Sequence, residues 1–96
     1  MKETYKNDID FLLEAIISLK DKESAFEFLS DLCTHNEIES MAQRLTSAKL
    51  LMQGMTYDQI VSETEISSAT LSRVSKCVKY GEGYKKTLGS MKTTLE

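Results

Sequence analysis

Small hydroxyl side chains and two cations are concentrated in the stretch Ile66–Lys76, which reads ISSATLSRVSK. Hydroxyl groups donate and accept hydrogen bonds, an arginine can present two donors to guanine or phosphate, and a lysine can neutralise a phosphate. Side chains this short would let a helix enter the major groove of DNA, whereas an ordinary solvated helix more often carries Glu and Lys pairs. These residue types therefore indicate contact with a nucleic acid.

A helix-turn-helix is the element predicted to hold these side chains. Its first helix is expected at Tyr57–Glu63, its turn at Thr64–Ile66, and its second helix from Ser67 to near Gly81. Helical spacing assigns an inward set, namely Ile60, Val61, Ile66, Leu71, Val74 and Val78, while Ala69 is expected to let the two helices approach closely. The outward, DNA-facing set is Ser67, Ser68, Thr70, Ser72, Arg73 and Lys76, and the face extends to Lys79. A coincidental αα-hairpin is the alternative.

Glu65 stands in the predicted turn, where a glycine is common. If this residue must adopt a positive φ, the strain is on the order of 1 kcal/mol. The turn is therefore predicted to form at a small cost in stability.

Charge is distributed unevenly along the chain, although the net charge is only −3. Residues 1–40 carry ten acidic residues and four lysines, whereas residues 68–92 carry six basic residues and Glu82 alone as an acid, a net charge of +5. A basic block beside an acidic half is the pattern expected of a domain that meets phosphates with one face. A merely solvated basic tail is the alternative.

The whole chain is predicted to be all-α, because it has no proline, only four glycines and an apolar spacing close to 3.6. Predicted helix starts are Asn7 or Asp8, then Asp21 or Ser24, then Thr34 with Glu37, and then Thr56 with Gln59; Gly54 is expected as a left-handed C-cap. We expect one domain over residues 1–96, with dimerisation helices at about 8–53, the helix-turn-helix at about 56–80 and a C-terminal helix at about 83–92.

The apolar stripes of the first three predicted helices are about as wide as their polar faces. Such surface needs a partner, most simply an identical subunit, and a compact monomeric bundle is the alternative.

No membrane span or secretory signal is predicted, so the expected compartment is the cytoplasm. Cys33, Cys77 and His35 form no metal-ligand pattern, and no nucleophile–base pair is evident, so neither a metal nor an enzyme is expected.

The stretches ESMAQRLTSAKLLMQGMTYDQIVSE and ISSATLSRVSKCVK, preceded by CTHNE, resemble the tryptophan-repressor family, and most closely its repressor-like YerC/YecD-type branch. The resemblance covers roughly residues 9–85. It implies an all-α intertwined homodimer in which two helix-turn-helix units read successive major grooves of a palindromic operator. By position, Ser68, Ala69 and Ser72 fall where the family reads bases.

The resemblance also implies a corepressor pocket. Arg73 and Arg44 match its two arginines, Thr34 matches a threonine at its edge, and Cys77 matches a serine that contributes to it. Tryptophan-binding members have a glycine directly after the arginine that Arg73 matches, whereas this chain has Val74, whose branched side chain would occupy the space of a flat ring. Tryptophan is therefore not expected as a corepressor, and no cofactor is predicted.

The leading functional hypothesis is a sequence-specific transcriptional regulator, a repressor, that binds a palindromic double-stranded DNA operator as a homodimer. The alternative is a helical adaptor that binds another protein through its apolar stripes without reading DNA. A salt-dependent DNA affinity would separate the two hypotheses, because phosphate neutralisation releases counterions.

Overall fold

The computed structural model describes residues 3–91, and these form six α-helices and no strand, which confirms the all-α prediction. In chain order the helices are α1 (Glu3–Ile17), α2 (Lys22–Leu32), α3 (His35–Met52), α4 (Tyr57–Thr64), α5 (Ser68–Tyr80) and α6 (Gly83–Ser90). The chain divides into two compact units, Met1–Ile38 and Glu39–Glu96.

Helices α1 and α2 of the first unit carry no buried residue. The prediction that α1 begins at Asn7 or Asp8 was wrong, since the helix is already formed at Glu3. Residues 3–6 contain no glycine or proline, and an acid in the first turn is stabilised by the helix dipole. Of the two caps left open for α2, the structure selects Asp21: its carboxylate accepts from the Ser24 backbone N–H at 2.8 Å, and the Ser24 hydroxyl accepts from the Asp21 N–H at 3.3 Å.

The predicted Thr34–Glu37 capping box opens α3. The Thr34 hydroxyl accepts from the Glu37 backbone N–H at 3.1 Å, and the Glu37 carboxylate accepts from the Thr34 N–H at 2.7 Å. These reciprocal bonds satisfy two donors that a helix start would otherwise leave unpaired.

Gly54 ends α3 in the left-handed conformation that was predicted, with φ of +89°. Its N–H donates to the Leu51 carbonyl at 3.0 Å, and the Met55 N–H donates to the Leu50 carbonyl at 3.1 Å. This pair of bonds is a Schellman motif, which favours glycine because no Cβ opposes the positive φ. It turns the chain directly into α4.

The hydrophobic core lies in the second unit, where four helices meet. Its buried members are Ala48, Ile60, Ile66, Leu71, Val74 and Leu88, and Leu50, Leu51, Met55, Val61, Val78 and Tyr84 pack against it. All six residues predicted to face inward in the helix-turn-helix belong to this set. Ala69 does not, because it is exposed; the buried alanine of the core is Ala48 on α3.

The last described helix is shorter than expected. The helix predicted at about 83–92 spans Gly83–Ser90, and Lys92 lies outside the described residues. Leu88 is buried and anchors α6 to the core, whereas Met91 is exposed. Within the described residues, no helix is both long enough and apolar enough to cross a bilayer.

Candidate nucleic-acid interface

Each of the two helices of the helix-turn-helix begins with a side-chain cap. The Thr56 hydroxyl accepts from the Gln59 N–H at 3.2 Å, and the Gln59 side-chain oxygen accepts from the Thr56 N–H at 2.9 Å, which completes the predicted capping box of α4. Ser67 caps α5 by accepting from the Thr70 N–H at 3.2 Å. Both helices are thus started by short polar side chains, as the sequence predicted.

Glu65 forms the turn in the left-handed region, with φ of 60° and ψ of 17°. Its N–H donates to the Val61 carbonyl at 3.0 Å and ends α4. A non-glycine residue in this region is strained by about 1–2 kcal/mol. The turn therefore has to be held by its surroundings.

Thr64 and Gln43 supply that support. The Thr64 hydroxyl donates to the Ile60 carbonyl at 2.8 Å and accepts from the Ile66 N–H at 3.3 Å. The Gln43 side-chain amide donates to the Thr64 carbonyl at 2.7 Å, so α3 is bonded directly to the end of α4. Together with buried Ile66, these bonds fix the direction in which α5 leaves the turn.

Helix α5 has one buried side and one exposed side. Leu71, Val74 and Ser75 are buried. The exposed residues include Ser68, Ala69, Ser72, Arg73, Lys76 and Lys79. At 3.6 residues per turn these six lie within one half of the helix circumference. The structure therefore brings most of the predicted DNA-binding residues onto a single face.

Two of the predicted hydroxyls are already used within the helix start. The Ser67 hydroxyl donates to the Thr70 hydroxyl at 2.9 Å, in addition to its capping bond, and Thr70 is half-buried. The side-chain hydroxyls of Ser68 and Ser72 make no hydrogen bond to another described residue. The hydroxyls of Ser68 and Ser72 are accordingly entirely free for a ligand, whereas those of Ser67 and Thr70 also hold the amino end of α5 in place.

The cationic side chains of this face are not paired with a described carboxylate. No described carboxylate forms an ion pair with Arg73, Lys76 or Lys79, and all three side chains are exposed. Hydroxyl groups at the amino-terminal half and free cations further along make a surface suited to base edges and phosphates.

A pocket of about 200 Å³ lies beside this face and is lined by Arg44, Arg73, Val74, Cys77 and Tyr84. Three of the four residues predicted for an effector pocket are thus brought together. The fourth, Thr34, belongs to the first unit, where its hydroxyl caps α3. A second, more apolar pocket of about 500 Å³ shares Cys77 and Tyr84 and is also lined by Leu45, Gly81, Gly83 and Thr87.

Tyr84 was missed by sequence reasoning. The available signal was an aromatic residue directly after the glycine that begins α6, a place where the chain has just turned back. Ser47 was missed as well: it is fully buried on α3, and among the described residues its hydroxyl finds no hydrogen-bond partner.

The cysteines bear on the question of metal or redox chemistry. Cys33 is half-buried and Cys77 is exposed, and both are free thiols. No group of three or more His, Cys, Asp or Glu side chains within residues 3–91 is arranged to hold a metal ion.

Comparison with known proteins identifies relatives over nearly the whole chain. A family model described as Trp repressor protein matches residues 7–92. The uncharacterized protein YerC of Bacillus subtilis (strain 168) is 48% identical over 88 residues, which cover 91% of this chain and 85% of that protein.

Solved structures of similar proteins have the same fold. A TrpR-like protein from Eubacterium eligens ATCC 27750 is 41% identical with a TM-score of 0.85, over 88% of this chain and 89% of that one. A Staphylococcus aureus protein provisionally described as a Trp repressor is 38% identical with a TM-score of 0.86, over 96% of both chains.

Proposed function

We propose that this chain, which belongs to the Trp repressor family, is a sequence-specific transcriptional regulator that binds double-stranded DNA. Members of the family are regulatory DNA-binding proteins and not enzymes. Membership confirms the resemblance found in the sequence, including its YerC-type branch. In this proposal α5 is the recognition helix and the protein acts in the cytoplasm as a repressor.

The observation that carries the proposal is the composition of the exposed face of α5. Ser68 and Ser72 offer free hydroxyls near the amino end, and Arg73, Lys76 and Lys79 follow without an ion-pair partner among the described residues. The major groove of B-DNA is about 12 Å wide and admits an α-helix whose side chains are short. Small groups at the deepest point and cations toward the edges suit that groove.

We infer that the functional form is a homodimer that binds a palindromic operator. Support comes from the first unit, where Phe11 is 72% exposed and Ile17 is 82% exposed on a helix with no buried residue. A twofold dimer would cover such surface and present two recognition helices to two half-sites about one turn of DNA apart.

The proposal is tested by selecting bound sites from random duplex DNA and then measuring the affinity for the enriched site at several salt concentrations. We expect a palindromic site and a log–log slope of about −0.9 for each phosphate neutralised. Arg73→Ala should cost about 1–3 kcal/mol in each half-site. Lys20→Ala, an exposed cation between α1 and α2, is the matched control and should have little effect.

A flat salt response together with no enriched site would contradict the proposal. The second candidate, a protein-binding adaptor, is favoured by the same exposed apolar residues of α1 and by the acidic residues 1–40. A monomer that captures a protein through α1 and ignores DNA would support the adaptor.

A further inference from the structure

One hydrogen bond joins the end of α5 to the first turn of α6. The Lys85 ammonium donates to the backbone carbonyl of Lys79 at 2.9 Å, so a side chain of α6 reaches the last turn of α5. Lys79 and Lys85 are exposed, and Tyr80 is 84% exposed. We refer to Lys79, Tyr80 and Lys85 as the junction cluster.

The backbone explains why this cluster is held in place. Gly81 ends α5, and its N–H donates to the Cys77 carbonyl at 2.9 Å. A Cβ at Gly81 would lie 2.8 Å from that carbonyl oxygen, so the chain can turn this tightly only with glycine. Leu88 then anchors α6 in the core. Lys85 is consequently presented to the α5 carboxyl end, where unpaired carbonyls attract a cation.

The junction cluster has positive charges without a described counter-ion and hydrogen-bond donors that remain unused. An ammonium group has three donors, and the bond to the Lys79 carbonyl uses one of those of Lys85. No described carboxylate is paired with Lys79 or Lys85. Tyr80 adds a phenolic hydroxyl to the same end of the helix. Such a group of donors, with like charges and no counter-ion, is suited to an anion.

The position of the cluster along α5 indicates which anion. Lys79 lies on the same exposed face as Ser68 and Ser72, and about 16 Å further along the helix axis from Ser68. The major groove is about 12 Å wide. For a helix that lies across the groove with Ser68 and Ser72 at the bases, the carboxyl end of α5 would reach the sugar–phosphate backbone at the edge of the groove.

We propose that the junction cluster binds a backbone phosphate at the edge of the operator, with Lys85 as a phosphate contact contributed by α6. This proposal rests on the proposed function, since it assumes that α5 enters the groove. An acidic protein segment would also match the charge, but the cluster continues the face of α5, and this continuity favours duplex DNA.

The test measures operator affinity against salt for the full chain and three variants. Each Lys85→Gln chain should lose one phosphate contact, so the log–log slope should become shallower by about 0.9 per chain, or about 1.8 for a dimer. The selected consensus site should stay the same, because phosphate contacts position the protein and base contacts specify the sequence. Lys85→Arg keeps the charge and should keep the wild-type slope.

Lys86→Gln is the matched control, since Lys86 is exposed on the same helix and its side chain makes no hydrogen bond or ion pair with another described residue. A slope change for Lys86→Gln as large as that for Lys85→Gln would overturn the proposal and leave only diffuse charge. An unchanged Lys85→Gln slope, with normal wild-type binding, would also overturn it. Binding of an acidic peptide in place of DNA would do the same. Wild-type protein that binds no DNA at all would instead refute the proposed function itself.

Discussion

Val74 is a residue with two structural roles. It is 1% exposed in the core formed by α3 to α6, and it also lines the pocket that contains Arg44 and Arg73. A branched side chain that is fixed by core packing has little freedom to move aside. The pocket between the arginines is therefore narrowed by a residue that the fold itself requires.

We expect L-tryptophan to leave operator affinity unchanged and to produce no binding heat in a calorimetric titration, because Val74 occupies space that a flat ring needs. Val74→Ala removes two methyl groups and should cost about 2 kcal/mol in folding free energy. Because this variant has more space beside Arg73, it should be titrated with tryptophan to look for weak binding. An increase of tenfold or more in wild-type operator affinity on adding tryptophan would show that the pocket opens despite Val74.

Glu65 stores strain at the turn on which the position of α5 depends. Glu65→Gly should raise the free energy of unfolding by about 1 kcal/mol, because glycine adopts a positive φ without a Cβ clash, although part of the gain is offset by greater freedom in the unfolded chain. Denaturant unfolding measures the change. Glu63→Gly is the control within α4 and should instead destabilise by about 1 kcal/mol. Equal destabilisation by both variants would mean that Glu65 is not strained.

At the scale of elements, each helix start depends on a few hydrogen bonds from short side chains. The pKa of Asp21 is lowered by hydrogen bonds from the backbone and side chain of Ser24, and the pKa of Glu37 is lowered by bonds from the backbone and side chain of Thr34. Both carboxyls are ionised when they act as caps. The stability of α2 and α3 is therefore linked to pH.

The sign of this linkage follows from the lowered pKa values. A carboxyl with a lowered pKa in the folded state stabilises the fold above its ordinary value, 4.5 for Glu37 and 3.8 for Asp21, and that stabilisation is lost as pH falls through the folded-state pKa. We expect the melting temperature to fall below about pH 4.5, and Glu37→Gln to show a weaker decline. Glu23→Gln, which removes an exposed carboxyl that makes no hydrogen bond to another described residue, is the control and should follow the wild-type curve.

At the scale of the whole molecule, the buried core residues lie in the second unit, and none of the described residues 3–38 of the first unit is buried. The large exposed apolar residues of the first unit are Tyr5, Ile9, Phe11, Leu12, Leu13, Ile16, Ile17, Phe26 and Leu32. Leaving this many apolar side chains in water is unfavourable at roughly 25 cal/mol per Å². This unfavourable exposure is the physical reason for the proposed dimer.

We expect the protein to sediment at twice its chain mass of 10.9 kDa. Leu13→Glu places a charge in the apolar face of α1 and should yield monomers, with operator affinity reduced by about 10²-fold or more because the two half-sites are no longer bound by one particle. Glu14→Gln, on the same helix and also exposed, should remain dimeric. If the wild-type protein sedimented at the mass of a single chain, the proposal of a palindromic operator would lose its basis.

Local signals predicted much of the fold. Thr34, Thr56, Ser67 and Gly54 stand at the helix ends where the sequence placed them, because a cap depends on residues within one turn. The inward residues of α4 and α5 were also identified, since helical spacing defines a face. The start of α1 was not, because residues 3–6 contain neither a breaker nor a strong cap.

The sequence predicted less of the candidate site than of the fold. The hydrogen bond from Gln43 to Thr64, the reach of Lys85 to Lys79, and the place of Tyr84 between two pockets all join residues from different helices. No periodicity within one helix encodes such pairings. The engagement of Ser67 and Thr70 with each other was also hidden, because a hydroxyl suited to DNA is equally suited to a cap.

The sequence by itself determined that the chain is helical, where most of its helices start and stop, and which face of α5 carries hydroxyls and cations. These features depend on neighbours within a few residues, so composition and spacing suffice. The tertiary structure decided which polar groups on that face remain unpaired, that Val74 narrows the arginine pocket, and that α6 adds a lysine to the end of α5. Those outcomes depend on helices that pack from distant parts of the chain, and only packing determines which side chains meet.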